Sequence, residues 1–154
     1  MTLRLMNEPS SSLERRTFRQ RCAAELKSKR ETAALSQESL AERAGFHRSY
    51  VSQVERAVQN MSLDNLERLH LALNLTQLSG EIKSLRMRFA ANMKRERVSQ
   101  GLSQEKLAEL AGLHRTYVSQ VERGVTSISL DNVEKLAAAL GRDEESLLDT
   151  HMNV

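Results

Sequence analysis

The sequence predicts an all-α protein made of two tandem copies of one small helical module. Hydrophobic residues make up 40% of the 154 residues, but aromatic residues only 3%, and there is one proline. This composition is typical of small helical domains rather than of β-sandwiches. The stretch 35–73 also recurs without a gap at 102–140, and roughly two-thirds of the aligned positions are identical. Within each copy, apolar residues recur with the helical period.

The repeat sets the predicted domain boundaries. We expect a first domain over residues 13–75, a linker over 76–81 and a second domain over 82–149. Residues 1–12 are predicted to be a flexible arm and 150–154 a tail.

The first predicted helix of each module is rich in basic residues. Residues 14–30 contain seven Lys or Arg against two Glu, and a second basic stretch runs from Lys83 to Arg97. With a net charge of +3 and a pI near 9.3, such stretches are compatible with nucleic-acid binding, but a solvated helix face explains them equally well.

The second helix has both of its ends marked. Ser36 and Ser103 are predicted N-caps, because a hydroxyl satisfies free amides at a helix start. Gly45 and Gly112 are predicted to end this helix, since glycine readily adopts the left-handed conformation found there.

Two further helices follow in each module. The third is expected to begin near Arg48 and Arg115, and the fourth at Ser62 and Ser129. With the basic helix, each module is predicted to have about four to five helices. Helix, glycine-centred turn and second short helix together indicate a helix-turn-helix.

The third helices are the predicted recognition helices, "HRSYVSQVER" at 47–56 and "HRTYVSQVER" at 114–123. Their buried valines account for one face only. The polar residues of the other face are also kept between copies, whereas surface positions elsewhere in the repeat diverge. The first arginine can grip guanine O6 and N7, and Ser, Thr and Gln can reach other base edges. The predicted base-reading residues are Arg48, Ser49, Gln53, Arg115, Thr116 and Gln120.

A second group is predicted to contact the DNA backbone. It consists of Gln37, His47, Tyr50, Ser52 and Arg56, with Gln104, His114, Tyr117, Ser119 and Arg123 in the second copy. His47 is equally well explained as a helix cap, and Tyr50 as a packing residue. Glu55 and Glu122 would repel DNA, so we expect them to bond an arginine instead.

These stretches closely resemble the phage-repressor and Cro-like (XRE-type) helix-turn-helix family. "SQEKLAELAGLHRTYVSQVERGVTSISLDNVEKLAAAL" is very near the family pattern, and "HRTYVSQVERG" with "SLDNVEKLA" is similar to the controller proteins of restriction–modification systems. The resemblance covers nearly the whole chain outside arm, linker and tail. It implies two lambda-repressor-like domains and a sequence-specific transcriptional regulator (a repressor or autoregulator). It also implies the same six base-reading residues, and phosphate contacts from Gln37 and Gln104.

The chain departs from that family in two respects. Ala57 stands where the second copy has the expected Gly124, so we expect a different or less stable loop at 57–61. Family members usually carry one module per chain and bind operators as dimers. Here the partner of each module is either the other repeat or another chain in a homodimer, and the operator either an inverted or a direct repeat.

Other classes of protein are poorly supported. Cys22 has no histidine nearby and is Phe89 in the copy, and the histidines lack metal-ligand spacing, so we expect no catalytic residues, cofactor or metal. No signal peptide or membrane span is predicted, which favours the cytoplasm. The alternative is an antitoxin or antiactivator that binds a protein partner through arm or tail, with DNA binding secondary.

Overall fold

The computed structural model describes residues 16–73 and 84–149, and these form helices. Module one contains α1 (Phe18–Thr32), α2 (Gln37–Ala44), α3 (Arg48–Glu55) and α4 (Leu63–Ala72). Module two contains α5 (Leu85–Ser99), α6 (Gln104–Ala111), α7 (Arg115–Glu122), α8 (Leu130–Leu140) and α9 (Glu144–Leu148). The predicted all-α fold with four to five helices per module is confirmed. The predicted arm 1–12, linker 76–81 and tail 150–154 lie outside the described residues.

The helix ends follow the predicted signals. The side chains of Ser36 and Ser103 each accept a hydrogen bond from a first-turn amide at 3.0 Å. Gly45 and Gly112 end α2 and α6 with φ of 73° and 66°, in the left-handed region. Local chemistry therefore fixes where these helices begin and end.

Each module is built around the same apolar core. Leu40 from α2, Val51 from α3 and Leu63 and Leu69 from α4 are fully buried, and their counterparts in module two are buried in the same way. Burying a Leu or Val side chain contributes about 1.5–3 kcal/mol. This core holds α3 and α7 against the rest of their modules by one face and leaves the opposite face outward.

The loop after α3 has the same geometry as its counterpart, despite Ala57. Ala57 adopts φ 57° and Gly124 φ 66°. The Val58 amide donates to the Gln53 carbonyl at 3.1 Å, and the equivalent bond in module two is 3.2 Å. The expected change in loop shape is therefore wrong, and the alanine carries the cost of a left-handed backbone instead.

The two modules pack together about a pseudo-two-fold axis. Ser62 and Ser129, which are equivalent residues, face each other in an isolated antiparallel bridge. The Leu63 amide donates to the Ile128 carbonyl at 2.9 Å, and the symmetry-related bond from Leu130 to Met61 is also 2.9 Å. A contact in which equivalent residues exchange equivalent bonds is isologous, as in a two-fold dimer.

Flanking contacts repeat the same symmetry. On each side an arginine of the first helix pairs with an aspartate of the other module, and a glutamate accepts from the other module's first-helix amide. The pairs are Arg19–Asp131 at 3.3 Å with Arg86–Asp64 at 3.4 Å, and Phe18–Glu134 at 3.2 Å with Leu85–Glu67 at 3.3 Å. In each case the second contact joins the two residues that are equivalent, by the internal repeat, to those of the first.

Helix α9 departs from this symmetry. Its Leu147 is fully buried, and Asn92 donates to the carbonyls of Leu147 and Asp149 at 2.9 and 3.1 Å. Arg21 of module one pairs with Glu144 at 2.8 Å, so α9 also contacts the other module. The equivalent segment 77–81 lies outside the described residues. None of the described helices is long and apolar enough to cross a bilayer.

Candidate nucleic-acid interface

The predicted base-reading residues lie together on the outward face of each recognition helix. Arg48 and Ser49 form the first turn of α3 and are exposed, and Gln53 is exposed one turn later. In α7, Arg115 and Thr116 are exposed and Gln120 is half-buried. The structure therefore brings together, on each helix, a guanidinium, a hydroxyl and a carboxamide, which are groups of the kinds that can bind base edges in a major groove.

The first residue of the preceding helix is held close to the recognition helix. Gln37 Nε2 donates to Glu55 Oε2 at 2.9 Å, and Gln104 Nε2 donates to Glu122 Oε2 at 2.8 Å. An amide nitrogen has two hydrogens, so each glutamine keeps one donor. That donor, beside the first-turn amides of α2 or α6, suits a phosphate oxygen.

The two glutamates near the interface are neutralised from within the fold. Arg30 donates to both carboxylate oxygens of Glu55, with Nη2 to Oε2 at 3.0 Å, and Arg97 does the same to Glu122 at 3.2 Å. The Glu55 side chain is only 2% exposed. The expected bond between each glutamate and an arginine is thus present, and the arginine compensates a negative charge that would otherwise repel DNA.

The tyrosines are anchored by a contact that the sequence analysis missed. Asn65 Nδ2 donates to the Tyr50 hydroxyl at 3.0 Å, and Asn132 donates to Tyr117 at 3.1 Å. Since the tyrosine oxygen accepts here, its own proton stays available for a phosphate. The signal was the "SLDN" stretch kept in both copies, but its distance in sequence from the tyrosine gave no indication of contact.

The remaining predicted backbone residues are placed differently in the two modules. His47 Nδ1 accepts from the Ser49 amide at 3.3 Å and so caps α3, whereas His114 makes no such cap on α7. The Nε of Arg56 donates to the Ser52 carbonyl at 3.4 Å. Arg56 and Arg123 are exposed, while Ser52 and Ser119 are half-buried.

Cys22 and His70, two side chains of kinds that take part in catalysis elsewhere, are buried and half-buried respectively. Cys22 is buried, and burial raises the pKa of its thiol to about 12. Burial has the opposite effect on His70 and lowers the pKa of its imidazole, because it disfavours the charged form. Among residues 16–73 and 84–149, no three His, Cys, Asp or Glu side chains converge as metal ligands.

Comparison with known proteins connects this geometry to a family. Residues 26–78 and 93–147 each match the helix-turn-helix family. The control protein C.BamHI of Bacillus amyloliquefaciens is 46% identical over 67 residues, which are 43% of this chain and 83% of that protein. A hypothetical transcription factor of Neisseria meningitidis is 56% identical over 59 residues, 38% of this chain and 56% of that protein.

A protein of solved structure is also similar in sequence to part of this chain. The restriction-modification controller protein C.AhdI from Aeromonas hydrophila is 45% identical, with a TM-score of 0.39, and the match covers 40% of this chain and 94% of C.AhdI. The family matches cover most of the sequence, once in each module. The chain therefore belongs to the helix-turn-helix family of DNA-binding transcription regulators, as two modules in tandem.

Proposed function

We propose that one chain binds an inverted-repeat operator in double-stranded DNA, with one recognition helix in the major groove of each half-site. The observation that carries this proposal is the isologous contact at Ser62 and Ser129. Two readers related by a two-fold axis match DNA half-sites related by the same symmetry. A direct repeat would require the modules to be related by translation, and the exchanged Leu63 and Leu130 amide bonds do not have that symmetry.

The polar residues of each recognition helix have different proposed roles in DNA binding. Arg48 and Arg115 are proposed to bind guanine, Ser49 and Thr116 a neighbouring base, and Gln53 and Gln120 a base one turn along. The backbone residues proposed to hold this register are Gln37, His47, Tyr50, Ser52 and Arg56 with Gln104, His114, Tyr117, Ser119 and Arg123. Half-site centres should lie about 10 base pairs apart, one helical turn.

Regulation is proposed to act by occupancy of the operator, as a repressor or autoregulator in the cytoplasm. The name "control protein" of several relatives supports a regulatory role. Because one chain already presents two readers, a homodimer of chains would present four and would need a longer operator.

The test is selection of bound sequences from random DNA, followed by affinity measurements of Arg48→Ala and Arg115→Ala across a salt series. We expect an inverted repeat, and each variant should lose about 1–3 kcal/mol of binding free energy at its own half-site. Lys29→Ala, which removes a cation from α1 outside the recognition helix, serves as the control.

A direct repeat would contradict the proposed geometry. If no motif is enriched and binding vanishes with salt, charge alone attracts DNA, and arm and tail would then be tested for a protein partner.

A further inference from the structure

The recognition helices differ at one of the proposed base-reading positions. Arg48 and Arg115 are the same residue type, as are Gln53 and Gln120, but Ser49 stands where module two has Thr116. Both side chains are exposed in the first turn of their helix. A difference at this position would be presented directly to a base.

The hydroxyl of Ser49 is also engaged within module one. His47 Nδ1 lies 2.7 Å from Ser49 Oγ and 3.3 Å from the Ser49 amide nitrogen. The His47 side chain accepts from the Ser49 amide, and the Ser49 hydroxyl is placed to donate to the same nitrogen. Ser49 Oγ is thereby left as an acceptor toward the groove.

Thr116 presents a different surface. His114 makes no side-chain cap hydrogen bond on α7, unlike His47 on α3. The Thr116 hydroxyl is thus free to rotate, and the residue adds a methyl group. An acceptor oxygen suits the exocyclic amine of adenine or cytosine, whereas a threonine methyl suits the methyl of thymine.

The turn that leads into the recognition helix also differs between the two modules. In module one the Arg68 guanidinium lies 4.2 Å from the Phe46 ring centre, and Phe46 packs 4.6 Å from Tyr50. Arg68 Nη2 also donates to the Ala44 carbonyl at 2.8 Å. Module two has Leu113 and Lys135 in place of Phe46 and Arg68, so the segment leading into α7 lacks this brace.

From these differences we infer that the two half-sites are read unequally at the Ser49 and Thr116 position, so the chain binds its operator in one fixed orientation. This inference rests on the proposed function, because it assumes that the recognition helices read bases. Module one prefers a base with an exocyclic amine at this position, and module two prefers thymine. A fixed orientation would also place α9, which belongs to module two, on a defined side of the operator.

The experiment is to select sequences with the wild-type chain and with Ser49→Thr, Thr116→Ser and His47→Ala. The wild-type motif should be an inverted repeat broken at one symmetry-related pair of positions. Ser49→Thr should give module one the thymine preference of module two. Thr116→Ser should only remove that thymine preference from module two, because His114 makes no cap that would leave the new hydroxyl as an acceptor. His47→Ala should relax the preference of module one at that pair and leave module two unchanged.

Affinities give a second readout. The wild-type chain should bind a hybrid operator, which has one half-site of each type, about tenfold more tightly than a palindrome of either type. Ser49→Thr should instead bind the palindrome of two module-two half-sites more tightly than the hybrid operator. Thermal unfolding of each variant serves as the folding control. Specific binding to a perfectly symmetric motif by the wild-type chain would overturn this inference and leave the proposed function standing. Loss of any enriched motif would instead overturn the proposed function, and this inference with it.

Discussion

At the scale of single residues, Ala57 shows how a repeat keeps its geometry when one residue type changes. Its φ of 57° puts an L-residue with a side chain in the left-handed region, where Gly124 sits at 66°. Neighbouring backbone bonds are the same in both loops. The surrounding module therefore imposes the turn, and the backbone of Ala57 is locally strained.

Ala57→Gly is expected to stabilise the protein. Relief of the left-handed strain outweighs the larger entropy of glycine in the unfolded chain, so the free energy of unfolding should rise by about 0.5–1 kcal/mol. Urea denaturation measures it. The matched variant is Gly124→Ala, which should destabilise, because a Cβ at Gly124 would also collide with Met87 Sδ. An unchanged or lower stability for Ala57→Gly would contradict the strain argument.

At the scale of elements, the Arg30–Glu55–Gln37 network joins α1, α2 and α3. One nearly buried carboxylate accepts from the arginine of α1 and from the glutamine of α2. The same three residue types, Arg97, Glu122 and Gln104, recur in module two. The network both fixes the recognition helix against α1 and orients a proposed phosphate-binding residue.

Glu55→Ala is expected to cost about 3 kcal/mol of unfolding free energy, because it leaves the Arg30 guanidinium without its carboxylate in a nearly closed site. DNA affinity should also fall, since Gln37 loses its anchor. Urea denaturation and operator titration measure the two effects. Glu25→Ala breaks an exposed pair with Lys29 and should change stability by less than about 1 kcal/mol. Similar stability changes in the two variants would mean that the Arg30–Glu55 pair contributes no more to stability than an exposed pair does.

At the scale of the whole molecule, the pseudo-two-fold contact makes one chain resemble a dimer of single modules. Its backbone bonds lie at the axis, and the Arg19–Asp131 and Arg86–Asp64 pairs lie on either side. These ion pairs are partly exposed, so their individual contribution is small. We expect them to favour this mutual orientation of the modules, because it places opposite charges together on both sides of the axis.

Charge reversal tests this orientation. Asp64→Arg with Asp131→Arg should lower affinity for the inverted repeat and leave the preferred bases unchanged, because the readers are intact but their spacing is not held. Adding Arg19→Asp and Arg86→Asp should restore most of that affinity. The restored chain retains the loss of two acidic residues from the first turns of α4 and α8, about 0.3–1 kcal/mol each. Affinity that does not change on reversal would mean that these pairs do not set the spacing.

The sequence by itself determined the fold class, the helix ends and the outward faces of the recognition helices. Those properties are local: Ser36 caps its own helix, Gly45 ends it, and the spacing of Val51 and Val54 defines the buried side of α3. Comparison of the two copies also predicted a functional role for the polar face of α3 and α7, because packing does not explain why exposed residues are identical.

Only the tertiary structure decided how the modules meet and which kept residues contact one another. The Ser62–Ser129 bridge, the Asn65–Tyr50 bond and the Gln37–Glu55 bond join residues far apart in sequence. Periodicity says which face of a helix is buried but not what it is buried against. The relative orientation of two modules depends on complementary contacts across an interface, and those contacts become visible only when both surfaces are folded.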